Sequence, residues 1–141
     1  MSDSPRRRAR ELVLQALYAS VSNDAPVGEQ FQDFLEDEEL SAKNLKFAEE
    51  FYALVKSKQE WADEQIKQLA HNWNIDRIAE IDLIILRMAL TEMHDMPDTP
   101  IRVAMNEAIE LAKKFSTAES SSFINGILDG FVKGQELLGK E

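Results

Sequence analysis

Apolar residues recur at three- and four-residue steps along nearly the whole chain, while Gly and Pro fall between the periodic stretches. That period is helical, and the strict alternation of a half-buried strand is absent, so the chain reads as all-α. Ser4-Pro5 has the form of an N-cap followed by proline at the first helical position. It opens a helix to about Val21 with Ala9, Val13, Ala16, Leu17 and Ser20 on one face. Asp24-Ala25-Pro26-Val27-Gly28 interrupts the pattern, and a short acidic helix around Phe31, Phe34 and Leu35 follows, its polar face carrying Asp33, Glu36, Asp37, Glu38 and Glu39. From Ser41 a long helix places Leu45, Ala48, Phe51 or Tyr52, and Val55 in register. It runs on, or restarts after a bend, through Trp61, Ile66, Leu69 and Trp73.

Asp76 is positioned to cap a helix from Arg77 to about Met93, with Ile78, Ile81, Ile85, Met88, Ala89 and Glu92 on its largely apolar face. Thr99-Pro100 repeats the cap-plus-proline device before Val103, Ala104, Ala108, Leu111 and Ala112. Ser116-Thr117-Ala118-Glu119 has the spacing of a capping box and precedes a last helix with Phe123, Ile127, Leu128 and Phe131. At 141 residues the chain is expected to form a single domain, 1–141, around one core or two subbundles.

Charge changes the picture at one end. The chain has 16 Lys+Arg against 26 Asp+Glu and a formal net charge of -10, yet Arg6-Arg7-Arg8-Ala9-Arg10 puts four guanidinium groups in five positions. Residues 1–21 carry four positive and two negative side chains, and residues 22–50 carry two and nine. Guanidinium groups offer planar, always-charged donors that match phosphate. With a Debye length of about 8 Å at physiological salt, a phosphate touching them is largely blind to distant carboxylates. Nucleic acid is therefore the first candidate partner, a merely solvated terminus the alternative. The N-terminal end of the first helix adds its free N–H groups and dipole to the cluster. Tyr18, two turns on from Arg10, either packs in the core or lends a stacking surface.

Other chemistry finds little support. Without cysteine there is no disulfide, thiolate nucleophile or cysteine-ligated metal. His71 and His94 belong to no metal or triad motif, and His94 suits a helix C-terminus. The Ser120-Ser121-Ser122 run has no nearby base. No cofactor and no catalytic residue is expected. The absence of a signal-like apolar stretch, and the charges Asp82 and Arg87 within the apolar cluster Ile81–Leu90, point to a cytoplasmic protein with no membrane span. Asn106, Asn125 and Gly126 fall inside predicted helices, where their propensity is poor. Close helix packing at Gly126 and satisfied polar contacts at the asparagines would account for them.

Arg6-Arg7-Arg8-Ala9-Arg10-Glu11 with Gln15-Ala16-Leu17-Tyr18, Leu86-Arg87-Met88-Ala89, Asn106-Glu107-Ala108-Ile109-Glu110-Leu111-Ala112-Lys113, and Phe123-Ile124-Asn125-Gly126-Ile127-Leu128-Asp129 occur in order over essentially the whole chain. Together they closely resemble the NusB family of bacterial transcription antitermination factors. The resemblance implies an all-α, NusB-like fold of about six to seven helices in two packed subbundles, about 4–74 and 76–134, and no catalysis. It implies binding of single-stranded boxA RNA from ribosomal RNA leaders together with NusE, a small-subunit ribosomal protein, in the RNA polymerase antitermination complex with other Nus factors. The free protein would be a monomer or weak homodimer. By position, Arg6, Arg7, Arg8 and Arg10 resemble the set that grips the RNA backbone, with Tyr18, Arg87, Phe115, Glu119 and Phe123 bordering that RNA surface. Asp82 is similar to an acidic position facing NusE, a contact shared with Tyr18. The chain departs from the family pattern at Ser122, often lysine there, and at Thr91, where an aromatic residue is common. Three other readings remain: a protein-interaction module with weak or lost RNA binding; the NusB-like domain of RNA cytosine methyltransferases, which would need a catalytic domain beside it; and a membrane-surface role through the Arg-rich amphipathic first helix.

Overall fold

The structure, a computed structural model, describes residues 5–22, 31, 35, 38–71 and 74–137. Among them are six α-helices and no strand: α1 (Pro5–Ser22), α2 (Ala42–Ser57), α3 (Gln59–Leu69), α4 (Glu80–Asp95), α5 (Ile101–Phe115) and α6 (Ala118–Leu137). A 3-10 turn, Ile75–Arg77, precedes α4. Ser4, Phe34, Trp73 and most of the expected acidic helix lie outside the described residues. Phe31 and Leu35 from that segment are helical and buried.

Backbone packing divides the chain into two compact units, 1–56 and 57–141. The divide falls at the bend expected in the long helix, where Lys58 leaves helical geometry between α2 and α3. It thus differs in place from the join expected about residues 74–76, since α3 packs against α4 and α6. The Trp61 ring explains the attachment, lying 4.4 Å from the His94 ring and edge-on to Phe131 at 6.2 Å.

In the first unit, α1 is buried on more sides than a single apolar face allows. Ala9 through Leu14 are all buried, Arg10 and Glu11 included. Across the unit Phe31 stacks on Tyr52 at 4.3 Å, and Phe47 meets Phe51 at 5.5 Å. Burial raises the pKa of the Tyr52 phenol above its ordinary value. Ser41 caps α2 by accepting the Asn44 N–H.

In the second unit α4 is the central helix, packed against α3, α5 and α6. Eleven of its sixteen residues are buried, so it presents core on nearly every side. Thr91 lies at 0% exposure with no hydrogen-bond partner for its Oγ1 among the described residues. Because a buried hydroxyl without a partner costs about 1 kcal/mol or more, Thr91→Val should raise the melting temperature by roughly 3 °C. Unchanged or lower thermal stability by circular dichroism would show that the hydroxyl is satisfied.

Several local expectations need correction. Asp76 does not cap α4: Asn74 Oδ1 accepts the Asp76 N–H at 2.9 Å and caps the 3-10 turn, and α4 starts only at Glu80, after Ala79 and without a side-chain cap. Thr99 makes no cap, and Val103, expected to face the core, is exposed. The frame of the box before α6 is shifted by one residue. Thr117 Oγ1 accepts the Ser120 N–H, while the Ser116 hydroxyl is drawn to Asp82. Gly126 is no close-approach point, since a Cβ there would meet nothing within 4 Å. It is Gly130 that faces Leu69 at contact distance, 3.4 Å.

Candidate functional site

The arginines at the start of α1 do not form one uniform patch. Residues four apart on a helix lie on the same face. Arg6 and Arg10 accordingly share the Phe47 ring, with guanidinium carbons 4.1 and 5.2 Å from its centroid. Arg6 also donates from Nε to Asn44 Oδ1 at 2.9 Å and remains half-buried, whereas Arg10 is 4% exposed. Arg7 is half-buried. Arg8 points elsewhere, and carboxylates take all three of its nitrogens. Nε and Nη2 donate to Glu38 at 3.1 and 2.9 Å, and Nη1 donates to Glu11 at 3.0 Å.

The electrostatic logic is local. Cations in the first turns oppose the helix dipole, and the first turn of α1 itself holds no acidic residue. Compensation comes from Glu38, Glu11 and the Phe47 ring. Hydrogen bonding from Arg8, and secondarily its charge, outweighs desolvation and holds the Glu38 carboxyl below its ordinary range. Arg8 is raised in turn, chiefly by its bond to Glu38. Farther along α1, Tyr18 is 47% exposed and Val21 53%, which places Tyr18 outside the core.

In the second unit the expected residues sit in two settings. Arg87 lies against α3, bidentate to Asp63 at 2.8 and 3.1 Å, with Glu80 at 3.9 Å. Its side chain is 12% exposed. Asp82 is buried, and its carboxylate accepts Ser116 Oγ at 2.8 Å and Ser120 Oγ at 2.7 Å. Each serine has one hydroxyl proton, so these two bonds use both, and the Thr117 hydroxyl donates to Ser120 Oγ. The start of α4 is thus tied to the turn between α5 and α6.

That turn is flanked by Phe115, half-buried with Lys114 Nζ 5.6 Å from its ring centroid, by exposed Glu119 and Ser122, and by half-buried Phe123. Glu119 and Phe123 share a face of α6 by their four-residue spacing. Lys113 and Lys114 lie in the last turn of α5, where the dipole favours cations. The sequence reading missed Phe47, Asn44, Asp63, Ser116 and Ser120 as partners of the expected residues. Nothing in a helical period marks which residues from other elements will meet them. Glu38 carries a signal, its place in the acidic run, but the sequence alone assigns it only to a polar helix face.

Among the described residues no group of three or more His, Asp or Glu is placed to hold a metal ion, and no helix is long and apolar enough to cross a membrane. The class this geometry defines is a two-unit helical protein, with guanidinium groups at one helix start and aromatic rings beside a tied turn in the other unit. Comparison with known proteins makes the assignment specific: residues 7–133 match the model of the NusB family, and the chain belongs to that family. It is 42% identical over 127 residues to the transcription antitermination protein NusB of Natranaerobius thermophilus, covering 88% of this chain and 91% of that protein. The Bacillus subtilis NusB is 42% identical over 123 residues, with 87% and 91% covered. The T. maritima NusB structure superposes with a TM-score of 0.84 at 32% identity, covering 93% of this chain and 92% of that one. A chain from a crystal structure of antitermination factors NusB and NusE in complex with dsRNA shares the fold, with a TM-score of 0.83 at 21% identity over 92% of this chain and 97% of that one.

Proposed function

We propose that this protein is a transcription antitermination factor that binds boxA-type single-stranded RNA of ribosomal RNA leaders together with NusE, within an RNA polymerase complex containing other Nus factors. The observation that carries the reading is the family match over residues 7–133, which takes in Arg7, Arg8 and Arg10 of the arginine cluster and the aromatic turn. Arg6, Arg7 and Arg8 hold RNA phosphates without reading sequence, and Phe115 and Phe123 offer faces on which unpaired bases stack. Tyr18, exposed on α1, meets NusE or RNA. The buried Arg10 supports this surface from behind through Phe47, and Asp82 and Arg87 brace the second unit's elements.

The second reading, a protein-interaction module with weak RNA contact, draws on the burial of Arg10 and the pairing of Arg8. Titration of labelled boxA-type RNA, a scrambled strand and a duplex control, with and without NusE and over a range of salt, separates the two. The expected result is preference for the boxA strand that tightens with NusE, and a log-log salt slope near -2, about -0.7 for each of three phosphate contacts. Equal, weak binding to every RNA with normal NusE capture would establish the interaction module instead.

A further inference from the structure

We infer that Glu38 is an internal competitor for RNA phosphate at Arg8, an inference that rests on the RNA-binding reading above. The two-pronged contact of Arg8 Nε and Nη2 with the Glu38 carboxylate, at 3.1 and 2.9 Å, is the geometry in which a guanidinium grips a phosphate. With Nη1 bonded to Glu11, every nitrogen of Arg8 already faces a carboxylate. A phosphate can take this Nε/Nη2 fork only by displacing Glu38.

The two carboxylates are not equally replaceable. Glu11 is 5% exposed at its side chain and belongs to the buried part of α1, whereas Glu38 is 25% exposed and lies outside any helix. Glu38 N–H donates to the carbonyl of buried Leu35, so the backbone at this point is anchored. Rotation of the Glu38 side chain is enough to release the fork of Arg8 to an incoming phosphate. Both states pair Arg8 with an anion, so RNA gains at this position only the difference between phosphate and carboxylate. Glu38 therefore weakens nonspecific attraction of polyanions to Arg8 without removing the arginine.

Glu38→Gln tests the idea against its neighbour Glu39→Gln, which removes the same charge from an exposed position. BoxA-type single-stranded RNA is the probe, and Arg8→Ala supplies the second background. Glu38→Gln should tighten RNA binding roughly three- to fivefold, the size of one partly exposed ion pair. Glu39→Gln should change it less than twofold, and the gain should vanish in the Arg8→Ala background. At the same time Glu38→Gln should lower the melting temperature, because a tie within the first unit is lost. A merely structural Glu38 would lower both. Weaker or unchanged RNA binding by Glu38→Gln, or an equal gain from Glu39→Gln, would overturn the competition while leaving the RNA-binding reading intact. If neither the wild type nor any variant binds RNA with or without NusE, the functional reading itself fails and the competition with it.

Discussion

Alanine at Asp82 is expected to cost the second unit about 3 kcal/mol of stability, while asparagine costs about 1 kcal/mol. The carboxylate is 6% exposed and accepts from two serine hydroxyls. Truncation removes the charged acceptor of both Ser116 and Ser120, leaving Ser116 only the Ser120 Oγ at 2.9 Å, and hydrogen bonds to a charged acceptor are worth about 1.5–3 kcal/mol each. Asparagine keeps one acceptor oxygen, and a serine hydroxyl can turn to accept from its amide. Urea unfolding of the three proteins measures the difference. The same series separates two roles for this residue. As an internal tie, Asp82→Asn retains NusE capture and RNA affinity within a few fold, and Asp82→Ala loses them only alongside stability. Loss of NusE capture by Asp82→Asn at unchanged stability would make the carboxylate a direct partner contact.

Replacement of both Arg6 and Arg7 by alanine should weaken RNA binding about a hundredfold at low salt, equally for boxA and scrambled strands. Each charged contact to phosphate contributes on the order of 1.4 kcal/mol, a factor of ten. Loss of two contacts should also flatten the salt slope by about 1.4. Arg6 stacks on Phe47 and bonds Asn44, so its removal also costs the first unit some stability. Arg6→Lys with Arg7→Lys is the control, since it keeps the charges while removing the planar fork. Wild-type affinity in the alanine pair would remove these residues from the RNA surface.

The fold was legible in the sequence because its signals are local. Helical period, the Pro26–Gly28 break and the Pro97–Pro100 stretch place helices α1, α2, α4, α5 and α6 to within a few residues. Helix ends were harder. Asn74 and Thr117 act as caps where Asp76 and Ser116 had equal claims, and the choice depends on which side chain a distant residue captures. Asp82 captured Ser116, thirty-four positions away. The same limit applies to the candidate site. Arginines declare their affinity for anions, but only the fold tells which anion each one already holds. Arg8 holds Glu38 and Glu11, Arg87 holds Asp63, and Arg10 lies behind Phe47. Tyr18, ambiguous by period, was settled by its exposure.

Helix α1 carries guanidinium groups on the same turns that supply Ala9, Leu12, Val13 and Leu14 to the first unit's interior. Ligand occupancy and folding of that unit are consequently one linked equilibrium. An anion that engages α1 in the folded state alone adds about 2.7 kcal/mol of stability at a concentration a hundred times its Kd. Substitutions at the proposed RNA-binding arginines would therefore also perturb the core, and amide-hydrogen exchange of α1 would gauge occupancy.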